Sequence, residues 1–397
     1  MTRSRVHDVV LYGATGFTGE LVARYFAQHV SLDRTPWAIA GRSREKLLLL
    51  REQLAKQHPV CARLPIVVAS TEDRASLAAL TKNARVVVST VGPFAQHGEP
   101  LFQACADHGT DYVDSCGEFS FVRNMRARHE ERARARGALM VSCCGVDSVP
   151  TDLGLYFTLK QLALESGGKI EGPVAVEGLL EVRARPSGGT WRSLLSVMGE
   201  LPSTPSHVAP PAAGEGRTLT RVLGRPHRDR ELGWVVPLPT LDPEIALTSA
   251  AALTKYGPSL SYAHYLVVRT LPRMALLGVG LGGMAASAQM PLGRSLLGKL
   301  LRPGEGPSEA ERKRSWFRLR MRAKHAAGEL QTEISGGDPG YDETAKMLSE
   351  SALCLAVDRA RLPARAGILT PACAFGDVLL KRLQRAGIAF RVVSHEV

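Results

Sequence analysis

The chain has 397 residues, 45% hydrophobic and 22% charged, which excludes a disordered segment and makes two domains the expectation. A net charge of +12 favours anionic partners, but no interleaved aromatic and basic motif for nucleic-acid bases occurs. Seven scattered cysteines without a Cys-x-x-Cys pair exclude a zinc ribbon and a disulfide framework, and the eleven histidines show no metal spacing.

The start runs straight into a short apolar strand and does not read as a secretory signal. With free thiols, this makes the cytoplasm the expected compartment. Residues 9–12 form that first strand. A glycine-rich turn and a helix over 19–29 follow. Residues 37–40 are a second strand and 43–57 a second helix. Further strands fall at 66–68, 85–90, 111–114 and 138–141, with helical segments between. Short apolar runs alternating with helices predict βαβ units and a doubly wound parallel sheet, an α/β domain over 1–150. The arginine-rich stretch 123–136 reads as the solvated face of a helix.

The rhythm changes after 150. A helix over 151–165 precedes an extended stretch, 173–185. Residues 201–216 carry four prolines and read as a loop. Segments 217–253 are short and punctuated by proline. These features predict a second, α+β domain over 151–344, assigned to substrate and dimer contacts. Within it, 274–293 holds no charged residue and is flanked by Arg269, Arg273, Arg294, Lys299 and Arg302. Three readings stay open: a buried or substrate-lining segment, a peripheral membrane contact, or a span. Five glycines and a proline weaken the last.

The chemistry-bearing motif is Gly13-x-x-Gly16-x-x-Gly19, placed between a strand and a helix. Gly13 permits the tight turn, Gly16 the approach of backbone to a pyrophosphate, and Gly19 the packing of helix on sheet. Thr15, Phe17 and Thr18 complete the loop, where the helix N-terminus offers N–H groups to phosphate. The second strand ends in Ala40-Gly41-Arg42-Ser43, where a carboxylate would hold the ribose of NAD. Arg42 can instead pair with a 2′-phosphate and Ser43 add a hydrogen bond, so NADP(H) is the expected cofactor. The other reading of Arg42 is a solvated helix start. The fourth strand leads into Thr90-Val91-Gly92-Pro93-Phe94. Thr90 to Pro93 are expected beside the nicotinamide ribose and Phe94 in the wall toward substrate.

These motifs, with Asp-Tyr-Val-Asp-x-x-Gly-Glu (111–118), Cys-Gly-Val-Asp-Ser-Val-Pro-Thr-Asp-Leu-Gly (144–154), Ser187-Gly-Gly-Thr190, Gly-Asp-Pro-Gly-Tyr (337–341) and Leu-Thr-Pro-Ala (369–372), resemble the saccharopine dehydrogenase-like oxidoreductases. Within that family the chain is most similar to trans-acting enoyl reductases. The resemblance implies a Rossmann-type N-terminal domain onto which 345–397 packs back. It also implies reduction of a carbon–carbon double bond on a carrier-bound polyketide or lipid chain, with an acidic carrier docking on the basic surface. One departure stands out: the third strand ends in Ala69-Ser70-Thr71, where an aspartate is more usual.

Enoyl reduction needs a donor for the enolate oxygen and an acid for the α-carbon. Tyr341 and Asp147 are the candidates, each with a bland alternative: a packing residue and a helix cap. Ser187 and Thr190 are expected on the substrate side or as caps. Asp114 and Glu118 are either a carboxylate pair that shifts its own pKa values or a structural turn. Cys143 and Cys144 read as a buried strand end. Two other functions stay open. One is an imine or ketone reductase of a small metabolite, as in saccharopine reductase. The other is a non-catalytic dinucleotide-binding protein at a membrane or lipid droplet. A homodimer stays open as well.

Overall fold

The structure is a computed structural model that describes residues 5–185, 216–238, 240–290, 306–326 and 328–396. It divides into two compact units, 1–146 with 341–386, and 147–340 with 387–397.

The first unit is built on seven strands: β1 (His7–Tyr12), β2 (Trp37–Gly41), β3 (Ile66–Val68), β4 (Ala84–Ser89), β5 (Asp111–Asp114), β6 (Leu139–Val141) and, from the C-terminal segment, β14 (Gly367–Leu369). All neighbours run parallel, in the order β14-β6-β5-β4-β1-β2-β3. The apolar runs do not alternate with polar residues because both faces are covered; Val9, Val10, Leu11, Val86, Val87 and Val88 have no exposed surface. The strand order reverses between β1 and β4, and a crevice beyond the carboxyl ends at that point is where such sheets bind ligand.

The predicted arginine-rich helix is Phe119–Arg136. Arg123, Arg128, Arg132, Arg134 and Arg136 are exposed, as the solvated-face reading expects, and some of the basic side chains also find partners. Arg128 pairs with Glu99 at 2.8 Å, Arg132 with Asp107 at 2.7 Å, and Arg126 donates to the Ile368 carbonyl at 3.1 Å. The two ion pairs join this helix to helix Glu99–His108, and of the three contacts only that of Arg126 reaches the sheet.

In the second unit, β7 (Pro173–Arg183), β8 (Thr218–Arg221), β9 (His227–Asp229), β10 (Gly233–Pro237), β11 (Ser259–Arg269), β12 (Trp316–His325), β13 (Gly328–Gly336) and β15 (Ala389–Glu396) form one mixed sheet. β11 lies parallel to both β7 and β8, and the other pairs are antiparallel. Helix Val149–Glu165 packs closely here: a Cβ on Gly154 would lie 2.7 Å from the Ile334 side chain and 3.2 Å from that of Met321. The Thr158 and Thr332 hydroxyls share a hydrogen bond of 2.6 Å.

The C-terminal return to the first unit is shorter than the sequence suggests. It ends at Ala386, and β15 pairs instead with β13. Phe390 is the physical reason: it is buried against Phe157, with ring centroids 5.9 Å apart. The uncharged stretch begins as helix Leu271–Gln289, and residues 291–293 lie outside the described residues. No helix among the described residues is long and apolar enough to cross a membrane.

Candidate active site

The phosphate loop is held from two sides. The Gly13 and Ala14 N–H groups donate to the Ala40 carbonyl at 3.0 and 3.2 Å, which fastens the loop to the end of β2. From β4, Thr90 Oγ1 donates to the Gly13 carbonyl at 3.1 Å. Gly13 has φ +88°, and a Cβ there would lie 2.6 Å from Val91 and 2.7 Å from Thr90. A Cβ on Gly19 would run into the Gly13 carbonyl and come within 2.9 Å of Ala14, so helix Phe17–His29 approaches β1 only because residue 19 is glycine. Gly16 is the exposed N-cap, and nothing but the Gly13 carbonyl lies near its Cβ position, at 3.4 Å. Thr15, Phe17 and Thr18 are half-buried around it.

Arg42 follows β2 directly and is exposed. Ser43 caps helix Arg44–Gln57 by accepting from the Lys46 N–H at 3.3 Å, which fixes the backbone that carries Arg42. The hydrogen bonds to the Ala40 carbonyl lie two residues from Arg42 and tie the backbone of the loop to the end of the strand that Arg42 follows.

After β4, Thr90, Val91 and Pro93 are half-buried, Gly92 is exposed, and the Gly92–Pro93 bond is cis. Phe94 is placed differently from the expectation of a substrate wall. Its ring is buried in the sheet core against Phe121, at 5.6 Å between centroids. Its N–H and that of Ala95 donate to the two Glu118 oxygens at 2.8 and 2.9 Å. Glu118 therefore anchors this loop rather than pairing with Asp114. Asp114 binds a different set of donors. Its Oδ1 accepts from the Cys116 and Cys143 N–H groups, each at 3.0 Å, and its Oδ2 from Ser142 at 2.9 Å. This holds Cys143 in the left-handed region at φ 63°. Complete burial pushes the Asp114 carboxyl up to about 6 against those donors. Both cysteines are fully buried, as a strand end requires.

Tyr341 belongs to the first unit and is buried, meeting Phe17 edge to face with centroids 4.8 Å apart. Its ring thus braces the phosphate loop from beneath. Asp147 opens the second unit and is exposed. Dense surrounding protein, and after it the Asp242 carboxylate, push its pKa upward despite that open flank. Ser187 and Thr190 lie outside the described residues.

Residues 9–141 match the saccharopine dehydrogenase NADP-binding domain. A protein of Mycobacterium tuberculosis described as a putative trans-acting enoyl reductase is 34% identical over 98% of this chain and 97% of its own. A trans-acting enoyl reductase of Mycobacterium ulcerans is 32% identical, covering 97% of each chain. The chain belongs to the trans-acting enoyl reductase family. It is an NADP-dependent oxidoreductase. Among solved structures, the saccharopine dehydrogenase (L-Glu forming) of Saccharomyces cerevisiae has a TM-score of 0.55 at 13% identity, covering 98% of this chain and 100% of its own. The homospermidine synthase of Legionella pneumophila, solved with NAD, also scores 0.55, at 10% identity over 98% and 92%. Both share the fold.

In this trans-acting enoyl reductase family member the residues present fit NADP. The open side of Gly16 and the first-turn N–H groups of a 13-residue helix form a cradle that a side chain at position 16 would fill, and Arg42 is exposed directly after β2. A second set of polar groups escapes the sequence motifs. Tyr262 and His264, both buried on β11, share a hydrogen bond of 2.9 Å through His264 Nδ1. Burial lowers the His264 pKa, with Arg221 adding to the effect and Asp242 opposing it. Gly178 sits opposite His264 in the register, and a Cβ there would overlap the Tyr262 hydroxyl and lie 2.8 Å from His264 Nδ1. Asp147, Asp242, Tyr262 and His264 are thus one electrostatic neighbourhood within the second unit. The only local signal for it is a glycine inside a strand.

Proposed function

We propose that this oxidoreductase uses NADPH to reduce the carbon–carbon double bond of an enoyl chain carried as a thioester, accepting the chain in trans from an acidic carrier protein in the cytoplasm. The observation that carries the reading is likeness over nearly the whole chain to relatives described as trans-acting enoyl reductases. The net charge of +12 supports an acidic carrier, because opposite fields speed encounter and orient docking.

Bound NADPH supplies the hydride for the β-carbon. The loop Gly13–Gly19 holds the pyrophosphate on backbone N–H groups, and Arg42 with Ser43 holds the 2′-phosphate. Thr90, Val91, Gly92 and Pro93 confine the nicotinamide ribose. Asp147 then delivers the proton that the α-carbon requires. A carboxyl whose pKa is raised toward neutrality keeps that proton at working pH, which an ordinary aspartate would not. Tyr341 acts indirectly, by bracing Phe17 and the loop. Phe94 shapes the site through its backbone bonds to Glu118.

The test is NADPH oxidation with crotonyl thioesters of pantetheine and of a holo-carrier protein, with the saturated product identified by mass. Absence of turnover on every enoyl thioester, with NADPH bound, would refute the reading.

A further inference from the structure

We propose that a groove in the second unit, between helix Leu271–Gln289 and the ends of β7 and β11, binds the apolar tail of a long acyl chain that ends in, or carries, an anionic group. The inference rests on the enoyl-chain reading above for the identity of the chain, and on the groove itself for its place.

The groove holds about 1150 Å³. One wall is strand, with Leu266 and Val268; the other is helix, with Leu276 and Met284; Trp316 also lines the space. Such an apolar, concave space is the kind that buries most of a flexible hydrocarbon. Gly280 and Gly283 line it, and a Cβ at either position would meet nothing within 4 Å, so a long side chain placed there would project into the groove. Apolar side chains on the same helix stay in solvent, with Leu276 at 74% and Val279 at 77% exposure.

Charge selects among occupants. Among the described residues Glu181 is the one acid at the rim, and it is neutralised by Arg269 at 2.5 Å. Arg183 and Arg273, also at the rim, have no carboxylate partner among the described residues, so the mouth is net positive. A chain with a carboxylate or phosphate group matches this better than a neutral lipid does. Position supports the same occupant. β11 carries His264 and Tyr262 at one point and Leu266 to Val268 just beyond. Four residues of strand separate His264 from Val268, about 13 Å at roughly 3.3 Å per residue. A chain lying along β11 would keep its thioester end by Tyr262 and His264 and its apolar tail in the groove, with the anionic group of the tail at Arg183 and Arg273.

The experiment uses the full-length protein and a long-chain polyene fatty acid whose fluorescence rises in apolar surroundings. The wild type is expected to bind it saturably. Gly283→Leu, which fills the groove with a better helix former, is expected to weaken binding at least tenfold, and Arg273→Glu severalfold. Unchanged circular dichroism and Tm, together with unchanged NADPH binding, show that both units of the variants are folded. The same variants are then compared on crotonyl and long-chain enoyl thioesters: Gly283→Leu should retain crotonyl reduction and lose preference for the long chain. Absence of turnover on both the crotonyl and the long-chain thioester in the wild type would overturn the enoyl reading and leave the binding result to decide the groove. Three results would overturn the groove: no saturable fatty-acid binding, binding unaffected by Gly283→Leu, or a helix face whose substitution alters only vesicle binding or self-association.

Discussion

Thr90 Oγ1 donates to the carbonyl oxygen of Gly13 across 3.1 Å, and through that bond the end of β4 sets the curvature of the phosphate loop. Thr90→Val keeps the shape and deletes the donor. The lost bond is worth about 1 kcal/mol. NADPH affinity should fall about fivefold with little change in Tm, and calorimetric titration reads it directly. An unchanged Kd would mean that Val91 and the backbone bonds suffice to hold the loop.

Arg42 stands where the cofactor's 2′-phosphate is expected, beyond β2. Charge-assisted bonds contribute about 1.5–3 kcal/mol. Arg42→Ala should therefore weaken NADPH binding roughly tenfold to a hundredfold and leave NADH binding almost untouched. Equal losses for the two cofactors would remove Arg42 from the specificity role.

Surrounding protein, and after it the Asp242 carboxylate, pushes the Asp147 pKa upward. Groups facing the pair include Arg221, His264 and Tyr262. Asp242→Asn removes a like charge, so the Asp147 pKa drops. If Asp147 must be protonated to react, the alkaline fall in kcat should then begin at lower pH than in the wild type. A profile that stays in place, or moves upward, would exclude Asp147 as the acid.

Asp114 gives a stability effect of definite sign. Its folded pKa, about 6, lies above the ordinary aspartate value of 3.8. Between those values the folded state binds the proton and the unfolded state does not. Stability is therefore full below pH 3.8 and falls as pH rises toward 6, by roughly 3 kcal/mol in total. Asp114→Asn can keep the acceptor for the Cys116 and Cys143 N–H groups without a charge. Its denaturation free energy, measured against that of the wild type from about pH 4 to 7, should gain with pH. Parallel curves would refute the shift.

Gly178→Ala tests the buried pair on β11. The added methyl overlaps the Tyr262 hydroxyl. Overpacking of this kind costs about 1–3 kcal/mol, seen as a lower Tm. A neutral result would mean that Tyr262 and His264 have room to move apart.

The parts that were legible in the sequence are those that are local. A strand, three glycines and a helix start lie within thirteen residues, and Arg42 follows its strand directly. Phe94 was harder, because a loop residue after a strand does not reveal which way its ring turns; Phe121 decides that. Asp242, Tyr262 and His264 lie about a hundred residues from Asp147, and no spacing rule links them. Their meeting depends on the parallel register of β7 with β11 and on which residues that register places opposite Gly178. The last strand was hidden for the same reason: its partner β13 is decided by packing of Phe390 rather than by its own pattern.

The first unit is assembled from residues 1–146 and 341–386, with the body of the second unit between them. During synthesis its sheet lacks β14, and helix Asp342–Ala356 is missing, until the ribosome has added about 240 further residues. At roughly 5–20 residues per second that interval is tens of seconds. Throughout it, the apolar edge of β6 and the surfaces that helix will cover stand open on the nascent chain. Chaperone demand, and the yield of soluble protein on overexpression, should therefore track translation speed through 147–340 more closely than the stability of the finished fold.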